Sequence, residues 1–421
     1  MSIVSKLRFW LRAVATIAIS TGLFMAPTAG VQAQQPPQKL KIGIAIPMSG
    51  PSARVGDEAA KVAKWWAKKV AAENKLDVEV VVRDTTFKPA DAISAVERLV
   101  EEDRVSAIAG IWHSSQGTAV VPVVKRLKVP LFIMGASSPR VLAKENENQK
   151  DFAWRPSSDD FVKGQLVGDF LIKVVAEKFK TPPKVFYIGE DSDFAREFLD
   201  SARNFVEKNG KDKLENVGST IYFQPNATTL LSELSRVRAS GAQIVITAPT
   251  GGVMAVFNNE MRKLKIPALD IGYAGEAAAQ EFADLTGENR FGTVFYVYTT
   301  PGKPMTSTSL AWEAEFKREI EGYSTPAGYS AILWECLESI RHAYNAAKST
   351  DPVKINAAVP SVKFEGVRNA VVQYDTQTHN STEMLVAIAQ YQKGAPSLGF
   401  NILWPLQVKE AELQIPAWVK R

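Results

Sequence analysis

Short apolar runs alternate with longer amphipathic segments along the first part of the chain. The runs LKIGIAI (40–46), VSAIAG (105–110) and VPLFIMG (129–135) are separated by segments with apolar residues at helical spacing, such as EAAKVAKWWAKKVAAEN (58–74). Apolar strands that alternate with helices form parallel sheets covered by helices on both faces. We therefore predict a doubly wound α/β lobe here.

A second series of the same kind begins with the helical segment GQLVGDFLIKVVAEKF (164–179), continues with KVFYIGE (184–190) and ends at FGTVFYVYTT (291–300). It predicts a second lobe of the same α/β class. Two long helical patterns follow, at 310–322 and 327–348, and we expect them to return to the first lobe. The last strand-like run is EMLVAIAQYQ (383–392).

The N-terminus has the features of a secretory signal peptide. Lys6, Arg8 and Arg12 precede an apolar run too short for a membrane anchor, and small residues follow up to Ala33. We predict cleavage after Ala33. No later segment resembles a membrane span, so we expect a soluble mature protein in the periplasm.

Composition limits the number of domains and gives no sign of a nucleic-acid-binding function. The chain has 421 residues, 46% of them hydrophobic, which is enough for cores in two or three domains. Loss of the three positive charges of the signal lowers the net charge from +5 to +2, so the charge gives no indication of nucleic-acid binding. The single cysteine, Cys336, lies in a helical pattern and is expected to pack in the core.

Catalytic and cofactor motifs are missing from the sequence. It has no phosphate-binding loop, dinucleotide fingerprint or zinc-protease motif, and GASSP (135–139) fails the nucleophile-elbow pattern at its fifth position. His113, His342 and His379 are far apart and lack the neighbours of a metal site. We predict a protein that is not an enzyme and that needs no metal or cofactor.

Polar residues follow two apolar runs of the first lobe at the point where each run ends. WHSSQG (112–117) follows VSAIAG, and GASS (135–138) follows VPLFIM. Open parallel sheets bind ligands beyond the carboxyl ends of their strands, and a helix N-terminus there attracts anions. An ordinary Ser N-cap explains either turn alone. Both together indicate one crevice that can hold a carboxylate or a phosphate.

The second lobe contributes three further strand ends to this predicted crevice. These are GEDSDF (189–194), APTGG (248–252) and GYAGE (272–276). Phe194 and Tyr273, together with Trp112 of the first lobe, are candidates for aromatic walls.

In the order of its segments the chain resembles the branched-chain amino-acid type (type I) of periplasmic solute-binding protein, the receptor of an ABC importer. The resemblance covers about residues 39 to 392. It rests on IGIAIPMSGPSARVGDEAAKVAKWW (42–66), DTTFKPADAISAVERLV (84–100), AGIWHSSQGTAVVPVVKRLKVPLFIMGASSPRVL (109–142) and FAWRPSSDDFVKGQLVGDF (152–170).

This resemblance implies two α/β lobes that are joined by three crossovers and that close around a small ligand. We expect residues 39–156 and 302–360 to form lobe 1, and residues 157–301 and 361–421 to form lobe 2, after a signal peptide at 1–33. The implied partners are a small-molecule ligand and a permease in the inner membrane. We expect a monomer.

The resemblance also implies roles for single residues. In family members that bind amino acids, hydroxyls at the positions of Ser114 and Ser137 hold the α-carboxylate, and the backbone at Gly135 accepts from the amino group. Phe194 and Thr250 stand at positions that are usually Tyr. The predicted ligand-binding residues are Trp112, His113, Ser114, Gly135, Ala136, Ser137, Phe194, Thr250, Tyr273, Ala274 and Glu276.

The chain departs from the family pattern in two places, and the first of them bears on the ligand. The acidic residue that pairs with a ligand ammonium falls on Ala274, although Glu276 could replace it if the loop is shifted. The disulfide of some members would need cysteines at Phe87 and His113 and is therefore missing. A buried ammonium needs a nearby anion, so the sequence favours an aromatic or other apolar carboxylic acid over an amino acid.

Two other functions remain open at this point. A sensing receptor could use the same fold, although such a protein would normally carry a membrane span. An extracytoplasmic hydrolase could use Ser114 with His113, but adjacent residues on a turn rarely face each other and no acidic group is evident to orient the histidine.

Overall fold

A computed structural model describes residues 39–74, 76–143, 150–299, 302–383, 386–396 and 399–421. The predicted signal peptide at 1–33 lies outside the described residues. None of the helices described is both long enough and apolar enough to cross a membrane.

The first sheet has five parallel strands in the order β2-β1-β3-β4-β5. Its strands are β1 (Leu40–Ile46), β2 (Val78–Asp84), β3 (Ala107–Gly110), β4 (Leu131–Ile133) and β5 (Ala153–Trp154). The connecting helices are α1 (Ala53–Asn74), α2 (Pro89–Glu101) and α3 (Ser114–Leu127). β3 and β4 are buried throughout because helices cover both faces, as their continuous apolar sequence predicts.

The second sheet has eight strands, in the order β15-β14-β11-β10-β9-β6-β7, with β8 also paired to β6. The remaining strands are β6 (Lys184–Glu190), β7 (Glu215–Asn216), β8 (Ile221–Phe223), β9 (Ile244–Ala248), β10 (Leu269–Tyr273), β11 (Val294–Val297), β12 (Lys363–Phe364), β13 (Val372–Gln373), β14 (Ala387–Tyr391) and β15 (Phe400–Trp404). β12 and β13 form a separate antiparallel pair.

The helices of the second half complete the α/β layers. They are α4 (Asp160–Phe170), α5 (Asp193–Asn209), α6 (Leu231–Ala239), α7 (Val253–Lys263), α8 (Gln280–Thr286), α9 (Ser309–Glu319), α10 (Gly328–Ala347) and α11 (Pro352–Ala358). α4 packs along α5, and α10 returns to pack against α1, β3 and β4, as the sequence predicts. Cys336 of α10 is fully buried, in agreement with its expected packing role.

The structure differs from the sequence prediction at the C-terminal end of the second sheet. β14 runs antiparallel to β11, and β15, which was not predicted, runs antiparallel to β14. The short connection from Tyr391 to Phe400 includes a turn glycine, Gly394, whose φ is 83°, and antiparallel strands can be joined in this way without a crossover helix.

Residues 374–379, which precede β14, make ring contacts with the first sheet. Tyr374 packs edge-on against Phe132 and Trp154, with ring centroids 6.0 and 5.7 Å apart, and His379 stacks on Trp154 at 3.9 Å. The sequence analysis assigned this segment to lobe 2. We propose that the chain re-enters lobe 2 only near β14.

Candidate functional site

A cavity of about 400 Å³ lies where the carboxyl ends of both sheets meet. Its first wall consists of residues 112–115, Gly135 and Ser137, after β3 and β4. Its second wall consists of residues 190–194, 250 and 274–276, after β6, β9 and β10, together with Tyr296 and Tyr298 at the end of β11. Trp112, Phe194 and the two tyrosines contribute aromatic rings to the lining of this cavity.

The turn that ends β3 directs the N-terminus of α3 to the cavity. Gly110 has a φ of 132°, and a Cβ there would lie 2.2 Å from the Ala45 carbonyl oxygen, so only glycine fits. His113 occupies the N-cap position but makes no side-chain cap. Ser114 and Ser115 of the first turn line the cavity, so unpaired N–H groups of α3 are available there.

The two polar turns of the first wall are joined through Ser114. Its Oγ accepts hydrogen bonds from the N–H groups of Ser137 and Ser138, at 3.2 and 3.1 Å. These two bonds use the lone pairs of Oγ and leave the hydroxyl proton available to a ligand. Ser114 therefore holds the two turns together and is also a candidate hydrogen-bond donor to a ligand.

The Ser137 hydroxyl proton is already used. Ser137 donates to Asp160 Oδ1 at 2.7 Å, and Lys163 Nζ lies 3.0 Å from the same oxygen. Asp160 and Lys163 are almost completely buried, and Lys163 also lies over the rings of Tyr296 and Tyr298. In this arrangement Ser137 can donate to a ligand only if it releases Asp160.

The second wall is acidic. Glu190 Oε1 accepts from Ser192 Oγ at 2.7 Å, while its Oε2 accepts from the Thr250 hydroxyl at 2.8 Å and the Thr250 N–H at 3.0 Å. Within the described part of the chain, Glu276 Oε2 accepts from the Gly251 N–H alone, at 3.1 Å. Glu276 Oε1 is buried and has no hydrogen-bond partner among the described residues.

Burial dominates the electrostatics of these two acids. It raises the pKa of Glu190 to about 7, against the hydrogen bonds that Ser192 and Thr250 donate. Burial also raises the pKa of Glu276 to about 8, and the nearby charges of Glu190 and Glu281 act in the same direction. The second wall thus holds two acids that titrate close to neutral pH.

The structure brings together most of the predicted site residues. Those that line the cavity are Trp112, His113, Ser114, Gly135, Ser137, Phe194, Thr250, Ala274 and Glu276. Gly135 packs against the indole of Trp112, and a Cβ on it would lie 2.2 Å from that ring.

Two predicted residues do not line the cavity. Tyr273 is fully buried, donates its hydroxyl to Asp270 at 2.8 Å and packs edge-on against Phe257 and Phe282. It belongs to the core because successive residues of a strand point to opposite faces. Ala136 is also fully buried, and its carbonyl accepts from Arg155.

The sequence analysis missed Glu190, Tyr296 and Tyr298 as lining residues. Glu190 lies within the quoted segment GEDSDF, so the strand-end rule that selected Phe194 could have found it. The two tyrosines carry no local signal, because the alternation in FGTVFYVYTT does not show which face meets the cavity.

His113 and Ser114 do not form a catalytic pair. The buried Nε2 of His113 has no hydrogen-bond partner among the described residues, while Ser114 Oγ is engaged by backbone N–H groups. Burial lowers the pKa of His113 to about 4, so the imidazole is neutral at neutral pH. This geometry lacks the nucleophile–base hydrogen bond of a serine hydrolase.

Comparisons with known proteins identify the class. A profile described as periplasmic binding protein matches residues 39–396, and the chain belongs to that family. The Leu/Ile/Val-binding protein homolog 7 of Brucella abortus (strain 2308) is 24% identical over 389 residues, which cover 90% of this chain and 94% of that protein.

Two solved structures are similar to the fold. LivJ of Streptococcus pneumoniae in complex with isoleucine has a TM-score of 0.75 and 18% identity, over 87% of this chain and all of that one. A solute-binding protein of an ABC transporter from Rhodopseudomonas palustris HaA2, in complex with p-hydroxybenzoic acid, has a TM-score of 0.72 and 20% identity, over 89% and 96%. The chain has the type I periplasmic binding protein fold, and both the family and the fold are those of substrate-binding proteins rather than enzymes.

Proposed function

We propose that this chain is the periplasmic receptor of an ABC importer and that it carries a small carboxylate-bearing solute to an inner-membrane permease. The observation that carries the proposal is the polarity of the cavity. Its first wall presents a helix N-terminus and a free hydroxyl proton, whereas its second wall presents two buried acids.

The carboxylate belongs at the first wall. The N-terminus of α3 is positively polarised, and its first N–H groups have no partner within the helix. Ser114 can add a hydroxyl donor, and Lys88 at the rim of the cavity adds a positive charge. A carboxylate at the second wall would instead meet Glu190 and Glu276.

An apolar or aromatic group is the favoured body of the ligand. Trp112, Phe194, Tyr296 and Tyr298 surround a volume suited to a small organic molecule. We therefore propose an aromatic or other apolar organic acid first, and an amino acid second. The neighbour that holds p-hydroxybenzoic acid supports the first class, and the neighbour that holds isoleucine supports the second.

A thermal-shift screen tests this proposal. The purified mature protein is scanned with benzoate-type acids, phenylpropionate-type acids, aliphatic acids, their amides and the common amino acids. A ligand that binds only the folded state raises the melting temperature by mass action. Stabilisation by carboxylates, but not by the matching amides, is expected. Equal stabilisation by an acid and its amide would contradict the placement of a carboxylate at Ser114.

Export of the protein is part of the same proposal. We propose that the signal is cut after Ala33, so that the mature chain starts at Gln34. Mass spectrometry of the periplasmic fraction should give the mass of residues 34–421. A full-length chain retained in the membrane fraction would contradict it.

A further inference from the structure

Glu190 and Glu276 lie beside the same turn of the second wall. They are only 2% and 5% exposed, and both line the cavity. Consecutive N–H groups reach them, since Thr250 donates to Glu190 at 3.0 Å and Gly251 donates to Glu276 at 3.1 Å. Both carboxyls therefore contact one dipeptide, Thr250–Gly251, and the charge of Glu190 acts on Glu276.

Neither carboxyl has a counter-ion in the described part of the chain. Arg54 faces Glu281 at 3.9 Å, and Arg196 is paired with Asp191 at 2.7 Å. Two adjacent negative charges that are buried without a cation repel each other and lose solvation. The pair therefore holds at least one proton at neutral pH.

The hydrogen bonds determine where that proton resides. Three donors reach Glu190, two from Thr250 and one from Ser192, and donors stabilise a charged carboxylate. Glu276 receives one donor, and its Oε1 has no partner among the described residues. Glu190 is thus the carboxyl better suited to carry the charge, and Glu276 is the one better suited to carry the proton.

We propose that burial and the neighbouring charge of Glu190 together keep Glu276 protonated, so that the second wall presents a neutral carboxylic acid to the ligand. A hydroxyl or carbonyl group of the ligand can hydrogen-bond to this acid as it stands. An ammonium group would bind it only after expelling the proton. Glu190 is therefore a positioning residue for specificity. It acts on the ligand through Glu276, because both of its own carboxylate oxygens already accept hydrogen bonds from Ser192 and Thr250. The selectivity rests on the proposed function, whereas the protonation does not.

The other charged and titratable groups around Glu190 and Glu276 do not supply a charge that would neutralise either carboxylate. Around Glu276 they are Tyr296, Tyr329, Glu281 and Arg54, and around Glu190 they are Asp191, Asp193 and Arg196. Burial raises the pKa of Tyr296 and of Tyr329 well above the usual range, so both phenols stay neutral. The arginines face other acids, and His113 across the cavity is neutral.

A carboxyl titration of the ligand-free mature protein tests the protonation directly. The protein is labelled with 13C at the glutamate side-chain carboxyls, and NMR spectra are recorded across the pH range, with Glu276→Gln used to assign the signal. We expect Glu276 to titrate near pH 8 and its midpoint to fall by about one unit or more in Glu190→Gln, because the neighbouring charge is gone. Glu281→Gln, the matched control, should give a smaller shift.

A Glu276 midpoint near that of an ordinary glutamate would overturn the inference, as would a midpoint unchanged by Glu190→Gln. If Glu190→Gln does not fold, Thr250→Val tests the same link. Loss of the Thr250 hydroxyl moves the proton towards Glu190, so the Glu276 midpoint should again fall, and an unchanged midpoint would be contrary evidence.

Calorimetry with tyrosine and 3-(4-hydroxyphenyl)propionate then tests the selectivity, since these two probes differ only in the ammonium group. The affinity for tyrosine should rise with pH, by at most about tenfold per unit, with release of a proton, and this dependence should shrink in Glu190→Gln. The affinity for 3-(4-hydroxyphenyl)propionate should not rise with pH in this way. Equal pH dependence for both probes would overturn the selectivity. If neither probe binds, the proposed function loses support, while the titration still decides the protonation.

Discussion

Buried acidic groups are stabilised in opposite ways on the two sides of the cavity. Behind the first wall, the buried charges Asp160 and Lys163 are paired with each other, and the hydroxyl of Ser137 completes their network. In the second wall, Glu190 and Glu276 have no cation partner among the residues that the structure describes, and burial raises the pKa of both towards neutral pH or above. The first wall is therefore a fixed set of donors, and the second is a set of acids whose charge depends on pH and on the ligand.

The largest expected effect comes from breaking the ion pair behind the first wall. Lys163→Met leaves Asp160 buried without its partner and should destabilise the protein by about 3 to 5 kcal/mol. Urea unfolding at neutral pH measures this loss. The double variant Lys163→Met with Asp160→Asn removes both charges and should recover part of it. A single-variant loss below about 1 kcal/mol would show that the pair is not needed.

The second wall should make stability depend on pH in the opposite sense to that of a paired acid. The pKa of Glu276 is raised from 4.5 to about 8 on folding, so the native state holds the extra proton and stability falls as the pH rises from about 4.5 to about 8. Glu276→Gln should remove a loss on the order of 2 to 4 kcal/mol over this range. Denaturant unfolding at several pH values checks it.

Glu288→Gln is the matched control for that series. Glu288 is exposed and paired with Lys393, and its pKa is lowered by that partner, so its replacement should leave the slope between neutral and mildly alkaline pH unchanged. An identical slope in the wild type and in Glu276→Gln would mean that Glu276 does not hold a proton in the native state.

The two serines of the first wall should differ in their effect on ligand affinity. Ser114→Ala removes a hydroxyl with a free proton and should weaken carboxylate binding by about 1.5 to 3 kcal/mol. Ser137→Ala should cost less, because the Ser137 proton is used by Asp160. Calorimetry with the best acid from the screen measures both, and Ser115→Ala serves as the control. A larger loss for Ser137→Ala would show that Ser137 turns from Asp160 to the ligand.

The smallest effects should separate the aromatic wall from the core. Phe194→Leu should weaken the binding of an aromatic acid by about 1 kcal/mol, since Phe194 lines the cavity. Tyr273→Phe removes a hydroxyl that donates to Asp270 in the core, so it should lower stability and leave affinity unchanged. A changed affinity in Tyr273→Phe would indicate that this residue reaches the ligand after all.

Most of the fold could be predicted from the sequence because parallel α/β layers leave a strong pattern. Fully apolar strands such as β3 and β4 require cover on both faces, and the helices between them supply it. β15 was missed because FNILW is short and is paired through a turn rather than through a helix. The position of Tyr374 was missed because nothing local shows which sheet a connecting segment contacts.

The sequence could predict which strand ends contribute residues to the candidate site, but it could not predict the hydrogen bonds that those residues make. The rule that ligands lie beyond strand ends located Ser114, Thr250 and Glu276. It could not show that Ser137 is engaged by Asp160, because that contact joins residues 23 positions apart in different elements. Nor could it choose between Ala274 and Glu276, since both line the cavity.

A crystal structure of the protein with the best acid from the screen tests the polarity of the cavity most directly. The account predicts that the ligand carboxylate lies against the N-terminus of α3, within hydrogen-bond distance of Ser114 Oγ, and that the rest of the ligand faces Phe194 and Glu276. A carboxylate bound against Glu190 and Glu276, or a ligand bound outside this cavity, would contradict it.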